Sequence, residues 1–495
     1  MKKLFTVVSV LVVLSMLLSA CAPAAPAPAP QPAEKPAAAA PTKAPEATKA
    51  PEAKPAEATK APAPTAVPPT KVAPAGAQRV AFWHSMGGDV GGKIPNMADN
   101  FNASQQKCFV DPIYQGTYDD SLNKLKAGLQ SKDTPAVVQL FDIGTRLLVD
   151  LKVATPMQDF IDKEKYDVTD LEPNVLAYYK VGDKLYSMPF NTSNPMLYYN
   201  KDMFKAAGLD PEKPPRTWDE FAAAARKLTQ KDASGKVTMP GGAFAIYGWF
   251  FEQFLAASGG YYADNENGRT APATKATFNS PEGVAILDWW KKLYDEGVMA
   301  NFGRPTVDTR NAFLAGKTAM FIDSTAVLRG MIDSTKGKME IGTAFLPRPN
   351  EDAYKKSGTI IGGGSLWIMN SRPAAEQACA WEFVKFLASA PEQAYWHTES
   401  GYYPIRKSAY EQQLDKDWRA KYPQFQTAID QLHAAPNNRF TQGGLIGVFP
   451  TARQTIEGAI EEVLAGKATP QQALDKAATT VTQAIQEYNQ TMGIK

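Results

Sequence analysis

From Gln78 onward the apolar period switches between two residues and three to four, and this alternation constrains the chain more than any other feature. "RVAFWHS" reads as a strand, "IPNMADNFNAS" as a helix, "CFVDPIY" as a strand, "YDDSLNKLKAGLQ" as a helix and "AVVQLF" as a strand. A βαβαβ opening with short links predicts a doubly wound, mostly parallel sheet with helices on its faces. Ligands of such sheets sit beyond the carboxyl ends of the strands. That rule singles out Trp83, His84 and Ser85 after the first strand, Tyr118 after the second and Asp142 after the third.

Later elements carry explicit start signals. Thr217-Trp218-Asp219-Glu220 reads as a capping box, Ser280-Pro281 as an N-cap followed by a first-turn proline, and Thr469-Pro470-Gln471-Gln472 as a box with proline at its first helical position. After Pro450 the apolar residues Ile456, Ile460, Val463 and Leu464 share one helical face. "TAMFID" and "GGGSLWIMN" read as strands that return to a sheet late in the chain. The 419 residues beyond position 76 exceed what one core serves, so two lobes are expected, each discontinuous in sequence. The expected division puts residues 77–195 with 318–367 in an N-terminal lobe, and 196–317 with 368–495 in a C-terminal lobe.

The first 76 residues have a different composition. Lys2 and Lys3 precede a largely apolar run over residues 4–18, and Leu18-Ser19-Ala20-Cys21 follows at once, the pattern of a bacterial lipoprotein signal cut before Cys21. The run falls short of the roughly 20 apolar residues that span a bilayer, and no other stretch reaches 18. A lipid on Cys21 would hold the chain outside the cytoplasm on a membrane surface. Residues 22–76 hold 15 of the 38 prolines, no aromatic residue and a degenerate "KAPEATKAPEAKPAEATKAP" repeat. Such a stretch cannot bury enough apolar surface to offset chain entropy, and it reads as a disordered tether.

Beyond residue 76 there are 45 basic and 47 acidic side chains, a balance that excludes a basic nucleic-acid footprint. Cys108 and Cys379 lie in apolar runs and each reads as a small buried hydrophobe, although an exported protein is also free to pair them. No set of residues suggests catalysis. "AGKT" at residues 315–318 resembles the end of a phosphate loop, but the first glycine of that motif is replaced by Asn311. His84, His397 and His433 are scattered without metal-ligand spacing, and no GxSxG elbow occurs. These absences favour a binding protein over an enzyme, with no metal and no cofactor. Aromatics interleave with glycines in "FWHSMGG", "IYGWFF", "SGGYY" and "GYYP", a combination suited both to a core and to a polar-ligand cleft.

The runs "FWHSM", "PFNTSNPMLYYNKDMFKAAGLDPEKPPRTWDEF", "IIGGGSLWIMN", "GYYPIRKSAY" and "GKATPQQALDKA" carry a resemblance that spans nearly all of the chain beyond residue 78. They resemble extracellular solute-binding family 1, and within it the branch that serves glycerol 3-phosphate importers. The resemblance implies a two-lobed α/β periplasmic-binding-protein-like fold of class II type, each lobe a doubly wound sheet with flanking helices. It also implies a monomer that closes on a small-molecule ligand and delivers it to the transmembrane subunits of an ABC permease.

Site residues carry over where the motifs match. Tyr118 in "YQGTYDDSL" and Asp142 in "VQLFDIGT" would face glycerol hydroxyls. Ser193 in "PFNTSNP", Ser324 in "MFIDSTAV", Gly363 in "IIGGGSLW", Tyr402 in "GYYPI" and Arg453 in "FPTARQTI" fall on the other contact positions, and Trp218 in "PRTWDE" would supply an aromatic wall. Arg453 offers a planar fork for a phosphate. Where the family usually carries Glu, this chain carries Asp142, one methylene shorter, and "GGAFAIYGW" before and through Trp249 also departs from the family pattern. Both departures would widen the cleft. The expected ligand is therefore sn-glycerol 3-phosphate or a glycerophosphodiester such as glycerophosphocholine, the alternative being a neutral sugar or oligosaccharide.

Overall fold

The computed structural model describes residues 72–494. The expected signal segment with its Cys21, and residues 22–71 of the expected tether, lie outside them. The described chain opens with β1 (Gln78–His84), α1 (Ile94–Ser104), β2 (Cys108–Tyr114), α2 (Tyr118–Ser131) and β3 (Val137–Phe141). β1 pairs in parallel with both β2 and β3, which is the doubly wound start read from the sequence. β4 (Ala154–Thr155) and β5 (Met188–Ser193) follow, and the chain then passes through Asn194 into β6 (Pro195–Asn200).

That single-residue step separates two sheets. β7 (Gly242–Ala243), α3 (Gly248–Ala257), β8 (Met299–Ala300), β9 (Met320–Ser324) and β10 (Ile341–Phe345) come next, before β11 (Gly362–Met369), α4 (Ala374–Leu387), α5 (Phe449–Leu464) and α6 (Pro470–Met492). The first sheet runs β2-β1-β3-β11-β4, with β5 also paired to β11. The second runs β8-β7-β9-β6-β10. β5 and β6 are buried along their whole lengths, as strands covered on both faces must be.

The late strands divide differently from expectation. β9 and β10 flank β6 in antiparallel register over five residues each, so both belong to the second sheet, and only β11 of residues 318–367 returns to the first. α4, expected with the C-terminal lobe, packs on β1, where the Phe383 ring meets Phe82 edge-on at 5.3 Å between centroids. Alternation of apolar residues marks a strand but does not say which sheet receives it. Helices α5 and α6 pack on each other, and α5 packs on α3.

The helix starts follow their sequence signals. Thr217 and Thr469 each close a two-way capping box, and the Ser280 hydroxyl accepts the Gly283 amide. Ile456, Ile460, Val463 and Leu464 form the buried stripe of α5. Cys108 and Cys379 are buried, as small hydrophobes would be, but they are joined as a disulfide, with Cα atoms 5.6 Å apart. The bond closes because α4 lies across the first sheet beside the start of β2, a neighbourhood created by chain 271 residues apart.

A link over so long a loop removes much freedom from the unfolded chain. Replacing Cys108 and Cys379 by serine is expected to cost about 2–4 kcal/mol in chemical denaturation, and reduction of the native protein should reproduce that loss.

Candidate ligand-binding cleft

Between the two sheets lies a cavity of about 320 Å³. The first sheet contributes Tyr118 at the start of α2, Asp142 just after β3, Ser193 at the end of β5, and Gly363 in β11. From the second come Asp323 and Ser324 at the end of β9, with Tyr247 and Trp249 at the start of α3. Tyr402 and Arg453 complete this part of the lining. Seven of the eight residues named from the sequence thus meet in one cavity.

Trp218 does not. Its ring stacks on Trp289 at 4.8 Å and its indole N–H donates to the Pro347 carbonyl at 3.2 Å, so it is a core residue beside the second sheet. The capping box at Thr217 explains the placement, because it starts a helix whose first apolar residue turns inward. Of the residues expected after the first strand, Trp83 and His84 are the last two of β1 and only Ser85 follows it; His84 and Ser85 are buried, the Ser85 amide donates to Gln139 Oε1 at 2.8 Å, and none of the three lines the cavity.

A buried polar chain orients the first sheet's contribution. Gln139 Nε2 donates to Asn191 Oδ1 at 2.6 Å, and Asn191 Nδ2 donates to the Tyr118 hydroxyl at 2.8 Å. Tyr402 hydrogen-bonds with Tyr118 and Asn191, and burial raises the pKa of both phenols, so they stay protonated donors. The Tyr118 ring is further fixed by stacking on Phe141 at 5.3 Å. Gly363 has φ +95°, and a Cβ there would overlap the Asn191 carbonyl oxygen; glycine is what lets β11 lie this close to β5. The Ser324 hydroxyl accepts the Ala326 amide and so caps the turn after β9 while facing the cavity.

Three charged side chains form one cluster at the site. Arg453 Nη2 donates to Asp142 Oδ2 at 2.8 Å and to Glu252 Oε2 at 2.7 Å, and Arg453 Nε donates to the same Glu252 oxygen at 2.9 Å. All three are buried. Burial pushes the Glu252 carboxyl up to about 7, opposed by Arg453 and reinforced by Asp142. Burial likewise raises Asp142 above the usual carboxylate range, with Arg453 pulling the other way. Burial opposes the charge on Arg453, but Asp142 and Glu252 outweigh it and hold the guanidinium protonated.

Glu252 escaped the sequence reading. Its signal was present, since it and Gln253 are the polar members of the otherwise apolar "GWFFEQFLAA" helix, and a carboxylate there requires a cation. Asp323 was also missed; its Oδ2 accepts from Arg310 Nη1 at 3.3 Å, and burial pushes its carboxyl up to about 6. Among the described residues no group of three or more His, Cys, Asp or Glu side chains is placed to hold a metal ion. The arrangement offers the Arg453 guanidinium, two serine hydroxyls, three phenols and aromatic faces, a set suited to holding a polar anion by hydrogen bonds.

Residues 96–427 match the model of a family described as bacterial extracellular solute-binding proteins. The chain is 34% identical over 418 residues to the sn-glycerol-3-phosphate-binding periplasmic protein UgpB of Escherichia coli K12, covering 83% of this chain and 93% of that one. The corresponding protein of Pectobacterium atrosepticum is 34% identical over 426 residues, covering 84% and 94%. Among solved structures, UgpB from Mycobacterium tuberculosis in complex with glycerophosphocholine superposes with a TM-score of 0.70 at 23% identity, covering 84% of this chain and all of that one. The cyclic alpha-maltosyl-1,6-maltose binding protein from Arthrobacter globiformis gives 0.67 at 25% identity, covering 83% and 100%. These structures share the two-lobed fold.

Removing Arg453 leaves two buried carboxylates without a cation. Arg453→Ala is expected to cost about 3–5 kcal/mol at pH 8. The cost should shrink at pH 5: the orphaned carboxyls then have folded pKa values above their unfolded ones, the folded state binds more protons, and stability is lost as pH rises. Urea denaturation at the two pH values measures both.

Proposed function

The chain belongs to the bacterial extracellular solute-binding protein family, and from that premise we propose that it captures sn-glycerol 3-phosphate or a glycerophosphodiester for an ABC importer. The observation that carries this reading is Arg453, a protonated guanidinium in a cavity whose other donors come from both sheets. Glu252 and Asp142 take the Nε and Nη2 donors of that guanidinium, which leaves Nη1 and the positive charge to meet a phosphate, and a neutral sugar has no need of the charge. The long identity to glycerol 3-phosphate-binding relatives supports the same choice. Tyr118 and Asp142 would hold the glycerol hydroxyls, while Ser193, Ser324, Tyr402 and the Gly363 amide add neutral donors.

Binding performs no chemistry in this reading. A ligand that touches Tyr118 and Gly363 on one side and Ser324 and Arg453 on the other favours the arrangement in which the lobes are closed, and the permease subunits then receive it. Among the described residues no helix is long and apolar enough to cross a membrane. We assign retention at the membrane to a lipid on Cys21, with the proline-rich stretch after it as a spacer and the monomer as the working unit.

A thermal-shift panel on the full chain with glycerol 3-phosphate, glycerophosphocholine and maltose tests the ligand. A ligand at a hundred times its Kd adds about 2.7 kcal/mol, so a rise of a few degrees is expected with one or both phosphates and none with maltose. A rise with maltose alone would return the chain to the sugar receptors. Labelling with tritiated palmitate checks the anchor: the wild type should incorporate label and partition with membranes, and Cys21→Ser should do neither.

A further inference from the structure

Two carboxylates share one guanidinium beside the cavity, so above neutrality, with both ionised, the Asp142, Glu252 and Arg453 cluster carries a net charge of −1 before any anion arrives. The other cation in the lining, Arg304, is occupied by Glu457 at 3.1 Å and by Glu461 at 2.7 Å. An entering phosphate must therefore share Arg453 with Asp142 and Glu252, inside a cleft that excludes water from all three. Like charges this close raise one another's proton affinity, and the group that yields is the one that can accept a proton without losing a bond.

Glu252 is built to be that group. Its Oε2 takes both hydrogen bonds from Arg453, while Oε1 is buried with no hydrogen-bond partner. A proton on Oε1 removes the negative charge and leaves both bonds to Arg453 in place. Asp142 is not left with a spare oxygen in this way, because its Oδ2 receives Arg453 and its carboxylate also accepts the backbone amides of Ile143 and of Asp142 itself.

The other lining carboxyl that burial raises, Asp323 at about 6, is bonded to Arg310 rather than to Arg453 and so stands outside the cluster. Arg453 from α5 and Asp142 from the turn after β3 are the charged groups acting on Glu252. Tyr178 from the helix Pro173–Tyr179, Tyr247 before α3 and Tyr262 after it are phenols whose own proton loss Glu252 opposes. Glu457 on α5 accepts the Gly248 amide at 3.0 Å at the start of α3 and is committed there and to Arg304. The helix Pro281–Asp295, also packed on α3, meets it through Trp289 against Phe254.

We propose that Glu252 is a positioning residue for Arg453 and that it takes up a proton when the ligand's phosphate enters, so that capture is proton-linked. The step is an ionisation alone: solvent or buffer supplies the proton, the Glu252 carboxylate becomes the neutral acid, and no covalent bond of the ligand changes. The inference rests on the phosphate reading above and adds the fate of the charge. A carboxyl already titrating at about 7 in the empty site makes the exchange measurable near neutrality.

The test is calorimetric titration of the full chain with glycerophosphocholine, whose diester does not titrate between pH 5 and 9, in two buffers of different ionisation enthalpy. The wild type should take up close to one proton per ligand at pH 8, with Kd weakening by up to about tenfold per pH unit above neutrality. In Glu252→Gln the uptake should fall to near zero and the pH dependence should flatten. Glu392→Gln is the control, because Glu392 is also pushed up to about 7 by burial but has no bond to Arg453 and does not line the cavity, and its removal should leave the uptake unchanged. Binding by the wild type with no proton exchange and a flat Kd from pH 6 to 9, or uptake that survives in Glu252→Gln, overturns the inference while sparing the ligand assignment. Failure of the wild type to bind any glycerophosphate at any pH overturns both.

Discussion

The ion cluster of Asp142, Arg453 and Glu252 is the constraint to which the rest of the site answers. One member follows the third strand of the first sheet and the other two sit on the packed helices α3 and α5, so the cluster ties the first sheet to the helices beside the second. Three buried charges are expensive to desolvate, and they persist only because each satisfies another. Gly248 shows the same pressure in the backbone: a Cβ there would collide with the Arg453 main chain, so the start of α3 must be glycine for Glu252 to come within reach. What binds in the cleft is selected by what this cluster can tolerate.

That tolerance separates ligand classes. A neutral sugar would leave the cluster as it is and gain nothing from the guanidinium. An anion engages Arg453 but has to be reconciled with two carboxylates, and the reconciliation shows in protons as well as in affinity. The polar chain from Gln139 through Asn191 to Tyr118 and Tyr402 supplies rigid neutral donors that work with either class. Ion cluster and donor chain together define a site for something with both hydroxyls and a negative charge.

Much of this was legible in the sequence, and the limits have physical causes. Strand and helix periods located the βαβαβ opening, and the rule that ligands gather at strand ends found Tyr118 and Asp142. Motif resemblance added Ser193, Ser324, Gly363, Tyr402 and Arg453, which no periodicity reveals. It also misplaced Trp218, since an aromatic residue at a helix start faces core and cleft with equal local logic. The sheet assignment of β9 and β10 was illegible because strand pairing is decided by partners over a hundred residues away. The Cys108–Cys379 link was left open for the same reason. Glu252 does carry a local signal, a carboxylate in an otherwise apolar helix, which needs a cation beside it.

The most direct measurement of the central claim is a crystal structure of the complex with glycerophosphocholine. The phosphate is expected against Arg453, with N–H···O distances of about 2.7–2.9 Å, and the glycerol hydroxyls on Tyr118 and Asp142. Glu252 Oε2 should keep its bonds to the guanidinium. A ligand seated in the same cavity with its phosphate turned to solvent, and Arg453 still bound only by its two carboxylates, would contradict the claim.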